Sequence, residues 1–110
     1  EGSIYKEAWW LLEKMDPEIT KQTVQMFKLL GDQTRFKILY LLETKEWHVD
    51  AIAEALEMEQ SAVSHQLRKL KEAKLVKSRR VGKNMLYSQE DSHVYDILHL
   101  AVEHAAHTHN

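Results

Sequence analysis

Two helical repeats only three residues apart, with an alternating hairpin close behind, restrict this chain to a narrow set of folds. Beginning at Val49 or Asp50, the apolar residues Ile52, Ala53 and Leu56 recur three and four apart. From Gln60 to Ala73, Val63, Leu67 and Leu70 do the same. The connection Glu57-Met58-Glu59 is so short that it must turn the chain sharply. Leu75–Val81 and Asn84–Gln89 then read as two strands about Gly82-Lys83, a hairpin signal. Two short helices across a tight turn, followed by a hairpin, form a winged helix-turn-helix. The chain ahead of this unit is helical. Ile4–Met15 carries Ile4, Ala8, Trp9, Leu11 and Leu12 and is stopped by Asp16-Pro17. Glu18–Leu30 carries Ile19, Val24, Phe27 and Leu30 and is broken by Gly31. Asp32 caps a third helix with Phe36, Ile38, Leu39, Leu41 and Leu42. The expected class is mainly α with a small β-hairpin.

At 110 residues this is a single domain with one core, without linker, repeat or low-complexity segment. No run of eighteen apolar residues is long enough to span a membrane, and no secretory signal is visible. Cysteine is absent, which excludes disulfides, thiolate metal sites and cysteine nucleophiles. A cytoplasmic protein is the expectation. The net charge of −2 conceals a segregation. Arg68, Lys69, Lys71, Lys74, Lys77, Arg79, Arg80 and Lys83 cluster in one stretch against Glu72 alone, whereas nothing from Glu90 onward is Lys or Arg. A basic stripe on an otherwise acidic molecule is an electrostatic footprint for nucleic acid.

In a winged helix-turn-helix the second helix enters the major groove of double-stranded DNA by its N-terminal part. With Val63, Leu67 and Leu70 turned inward, Gln60, Ser61, Ser64, His65 and Arg68 face out. These side chains are short or flexible donors and acceptors, suited to base edges and phosphates. The hairpin places Arg79, Arg80 and Lys83 beside the duplex, as phosphate or minor-groove contacts.

The C-terminal stretch Asp91–His107 repeats Val94, Ile97, Leu98, Ala101, Val102 and Ala105 with helical spacing. His93, His104 and His107 fall within roughly 60° of one another on this helix, while His99 and His109 lie off the stripe. Together with Asp91 at the helix start they make a tetrahedral zinc ligand set. One helix cannot close that site. His93 and His104 are about 16 Å apart along the axis, and zinc takes its donor atoms at about 2.0–2.2 Å. His104 and His107 can share an ion, and so can Asp91 and His93. Complete coordination needs two antiparallel copies, each donating one pair to each of two sites, so the ligand spacing predicts a two-fold dimer. Four protein ligands leave no open position for water, which argues against a zinc hydrolase, and no Gly-rich phosphate loop is present. No enzyme activity and no small-molecule substrate are expected.

The stretches Phe27–Leu42 and Glu59–Leu70, followed by Leu75-Val76 and the Gly82-Lys83 hairpin with Tyr87, resemble the ArsR/SmtB family of metal-responsive repressors. The resemblance covers roughly residues 20–107. The spacing Asp91-x-His93 with His104-x-x-His107 is similar to the C-terminal-helix site of the family's zinc and cobalt sensors. The resemblance implies repression of metal-efflux genes and release of operator DNA when Zn(II) or Co(II) binds. The chain departs from many members in lacking a cysteine pair near Leu42–Val49, so the soft-metal site of those members is absent. It also has Glu59 where Ser is frequent, and Glu is a poorer helix cap.

The combined expectation is a homodimeric repressor. Residues 1–30 form N-terminal dimerisation helices with Trp9 and Trp10 at the interface. Residues 32–89 form the DNA-binding core and wing, and 91–107 a metal-binding dimer helix. His104, in mid-stripe, is the expected transmitter, through a bond to backbone near Lys74. The alternative is a winged-helix transcription factor with no metal response.

Overall fold

A computed structural model describes residues 2–90 and 92–109. Asp91 lies outside the described residues. The elements run α1 (Gly2–Lys14), α2 (Pro17–Leu30), α3 (Gln33–Thr44), β1 (Trp47–His48), α4 (Val49–Leu56), α5 (Gln60–Glu72), β2 (Val76–Val81), β3 (Asn84–Gln89) and α6 (Ser92–His109). The starts of α2 and α3 follow from local chemistry. The Asp16 carboxylate accepts from the Glu18 N–H at 2.8 Å, with Pro17 at the first helical position. The Asp32 carboxylate accepts from the Arg35 N–H at 3.0 Å.

The helix-turn-helix unit is shaped by two residues held in the left-handed region. Glu57 (φ 55°) ends α4, and the next N–H, that of Met58, returns to the Ala53 carbonyl at 2.9 Å. Lys74 (φ 62°) follows α5, and the Leu75 N–H returns to the Leu70 carbonyl at 2.9 Å. Both are helix-closing turns in which glycine is usual. Glu59 starts α5 without a side-chain cap, in line with its poor capping chemistry. Gly82 (φ 63°) opens the two-residue turn of the hairpin, where positive φ matches the strand twist.

The hairpin belongs to a three-stranded antiparallel sheet of order β1-β3-β2, larger than the isolated hairpin expected. β1 has only two residues, Trp47 and His48, paired with Tyr87 and Leu86. A strand that short has no alternation to read. The core gathers Ile38, Leu39 and Leu42 from α3, Ile52 and Ala53 from α4, and Val63, Leu67 and Leu70 from α5. Leu30, Leu75, Val76, Tyr95 and Leu98 complete it. The terminal helices differ. Every described α1 side chain from Tyr5 to Lys14 is exposed, Trp9 at 68 %. On α2, Met26, Leu29 and Leu30 pack inward, whereas Ile19, Val24 and Phe27 face out.

Candidate nucleic-acid interface and metal half-sites

The outer face of α5 and the hairpin enclose a cleft of about 480 Å³. Gln60, Ser64 and Arg68 line it from α5, Lys83, Asn84 and Met85 from the hairpin, and His48 and Asp50 close one edge. Ser61 and His65 stand exposed on α5. The inward set Val63, Leu67 and Leu70 is fully buried, which fixes the rotation of α5. The structure therefore brings the expected α5 residues to one side of the molecule. Lys71 also lines this cleft, and its ammonium donates to the Ser78 hydroxyl of β2 at 2.8 Å. It stands three residues after Arg68 and seven after Ser64, so helical spacing marks it as a neighbour of both. Behind the helix, the half-buried Arg35 donates to the Leu29 carbonyl (2.8 Å) and to the Gln66 side chain (3.0 Å), tying α5 to the α2–α3 corner.

Arg79 and Arg80 separate. Successive strand residues point to opposite faces. Arg80 pairs with Met85 in the row that shares a face with Ser78, Tyr87 and the buried Val76. Arg79 pairs with Leu86 and belongs to the opposite face. There its guanidinium donates twice to the Glu46 carboxylate, Nε to Oε2 at 2.9 Å and NH2 to Oε1 at 2.8 Å. That hydrogen bonding, above all, holds the Glu46 carboxyl below its ordinary pKa, with the charges of Arg79 and Lys77 assisting. The same contact raises Arg79. Among the described residues, Arg80 and Lys83 are in no ion pair.

On α6, His93, His104 and His107 are exposed, and His104 and His107 border one shallow concavity with Leu100, Glu103 and Ala106. No group of three or more His, Cys, Asp or Glu among the described residues could hold a metal ion. Asp91, the fourth expected ligand, lies outside the described residues. His99 lies off the stripe, between Glu43 of α3 (3.8 Å) and Glu103 (3.3 Å). The expected bond between His104 and backbone near Lys74 is not made among the described residues. Tyr95 instead joins α6 to the end of α5. Its buried hydroxyl donates to the Leu75 carbonyl at 3.0 Å, which also accepts the Glu90 N–H at 3.3 Å. Tyr95 stands three residues before the buried Leu98, so helical spacing could have marked its ring as inward, but not the bond its hydroxyl makes to backbone twenty residues away.

These elements define a winged helix-turn-helix regulator of the DNA-binding kind. The chain belongs to the arsR family of bacterial regulatory proteins, whose family model matches residues 32–78. It is similar to a "Transcriptional repressor SmtB homolog" of Synechocystis sp., with 38% identity over 92 residues, 84% of this chain and 70% of that protein. It is also similar to the "HTH-type transcriptional regulator NmtR" of Mycobacterium tuberculosis, with 39% identity over 95 residues, 86% of this chain and 79% of that one. Among solved structures, it matches a homodimeric winged helix-turn-helix DNA-binding domain from Mycobacterium bovis with a TM-score of 0.75 and 30% identity, over 87% of this chain and 91% of that one. The family consists of regulators, and the chain is not an enzyme. No helix among the described residues is long and apolar enough to cross a membrane.

Proposed function

We propose that the chain is a cytoplasmic, metal-responsive transcriptional repressor that works as a homodimer. α1, α2 and α6 supply the interface: their exposed apolar residues form the kind of surface that a second copy would cover. Two α5 helices read adjacent major grooves of an operator, about 34 Å apart. Gln60, Ser61, Ser64, His65 and Arg68 contact base edges and phosphates, while Arg79, Arg80 and Lys83 hold the wing on the backbone. Asp91 and His93 of one chain, with His104 and His107 of the other, hold Zn(II) or Co(II). When bound, such an ion supplies a fixed four-donor link between the two C-terminal helices. The genes controlled are those of metal efflux, by kinship with metal-responsive repressors.

The observation that carries this reading is a continuity within one helix. α6 bears the exposed His93, His104 and His107, and its Tyr95 is hydrogen-bonded to the joint between α5 and β2. A change in how two α6 helices lie against each other therefore acts on the element that reads DNA. For metal to release DNA, the filled site must favour the dimer shape that fits DNA less well. A coupling of about 1–3 kcal/mol corresponds to a 5- to 150-fold loss of DNA affinity. The test mixes Asp91→Ala/His93→Ala chains with His104→Ala/His107→Ala chains. Each parent homodimer is expected to bind no tight zinc, while the heterodimer recovers one site and part of the zinc-induced loss of DNA affinity. A heterodimer as inert as its parents rejects the shared site. Wild-type DNA binding indifferent to zinc leaves a winged-helix regulator without metal response.

A further inference from the structure

The wing's Arg79 has an anionic partner within its own chain. Glu46 lies in the short segment between α3 and β1, on the body of the domain, while Arg79 lies on β2, with β3 between them. The contact is bidentate, with two parallel bonds at 2.8 and 2.9 Å. A guanidinium offers that same fork to phosphate oxygens. Both side chains reach solvent, Arg79 at 61% and Glu46 at 37% exposure, so the partners can exchange without disturbing the core. Arg80 and Lys83 have no such partner among the described residues.

We propose that Glu46 sets the DNA affinity of the wing by occupying the Arg79 guanidinium as a phosphate would, so that DNA must displace it. The proposal rests on the DNA-binding reading above. Two effects act in the same direction. Arg79 gives up one charge-assisted pair to gain another, so its net gain on DNA is smaller than that of an unpaired cation. The freed carboxylate also remains beside the sugar-phosphate backbone, where like charges repel. Because phosphate contacts carry no sequence information, the damping applies to operator and non-operator DNA alike. Glu46 thus restrains non-specific binding by a chain with eight cations between Arg68 and Lys83.

The test uses the full chain and a random-sequence duplex of about 30 base pairs, long enough for two recognition helices one turn apart. Affinity is read by fluorescence anisotropy across a salt series. Glu46→Gln keeps the shape of the side chain and removes its charge. It is expected to tighten binding by about 1.5- to 5-fold per wing, the range in which exposed ion pairs fall. In an Arg79→Ala background the same substitution is expected to have a clearly smaller effect, because there is no guanidinium to release. Thermal melting checks that all variants fold. An unchanged or weakened affinity for Glu46→Gln would overturn the proposal and make the pair a spectator or a brace for the wing. An equal gain in both backgrounds would also overturn it, leaving only a general effect of net charge. If the wild type binds no duplex at any salt concentration, the DNA-binding reading itself fails, and that outcome is distinct from a wild type that binds and a variant that does not improve.

Discussion

The segment from α3 to β3 buries or half-buries most of its large apolar side chains, whereas the helices at the two ends leave most of theirs in solvent. In the first region Ile38, Leu39, Leu42, Ile52, Val63, Leu67 and Leu70 are at most 1% exposed, and three helices and a small sheet close around them. In the second, α1 leaves Trp9, Leu11 and Leu12 in solvent, α2 leaves Ile19 and Phe27, and α6 leaves Ile97 and Leu100. The difference separates two kinds of apolar residue that look the same in sequence. One kind builds a scaffold that holds a DNA-facing surface in place. The other is, in the function proposed above, covered by a second copy, and the proposed histidine ligands lie on that second kind of helix.

Substitutions in the two regions should therefore fail in different ways. The largest effect is expected in the scaffold. Leu67→Ala removes a fully buried side chain from α5 and should cost about 2–5 kcal/mol of stability, read by thermal or denaturant unfolding. If that variant melts like the wild type, the core is not where its burial places it. Trp9→Ala should act differently. It should weaken dimer association by about 2 kcal/mol, as expected for an aromatic anchor at an interface, while leaving the helix-turn-helix packing intact. Sedimentation at several concentrations reads the first property, and chemical shifts of the core methyl groups read the second. A Trp9→Ala chain with unchanged association would remove α1 from the interface and leave the contrast between the regions to α2 and α6.

The scaffold was legible because its signals are local and periodic. Asp32 as a cap, the three-residue turn after α4, the inward set Val63, Leu67 and Leu70, and the Gly82 turn all behave as their residue types dictate. β1 was not legible, since two residues carry no period. The closing turns at Glu57 and Lys74 were hidden because neither uses glycine, so only long-range packing explains their backbone. The basic hairpin was legible as a charge cluster but not as a two-sided object. Strand alternation sends Arg79 and Arg80 to opposite faces, and Glu46, 33 residues away, captures one of them. In α6 the histidine stripe was visible, but the role of Tyr95 was not. Its hydrogen bond to Leu75 depends on how α6 crosses the end of α5, which no local pattern encodes.

That bond allows the smallest and most specific test of how the two regions communicate. Tyr95→Phe keeps the buried ring and deletes the hydroxyl that donates to the Leu75 carbonyl. Leu75 keeps its bond from the Glu90 N–H, so its carbonyl is not left bare. The cost in stability should be about 0.5–1.5 kcal/mol, the net worth of a hydrogen bond. If α6 acts on the α5–β2 joint through this contact, the variant should also show a smaller zinc-induced loss of DNA affinity, with zinc affinity itself unchanged. Stability, metal affinity and coupling are separate free energies, so each is measured separately at the same salt, and DNA affinities are compared without zinc and at zinc that saturates each variant. A variant that loses stability but retains the full zinc response would show that Tyr95 only docks α6 on the scaffold. The signal would then have to pass between the regions through another contact of α6, such as the α3 side where His99 meets Glu43.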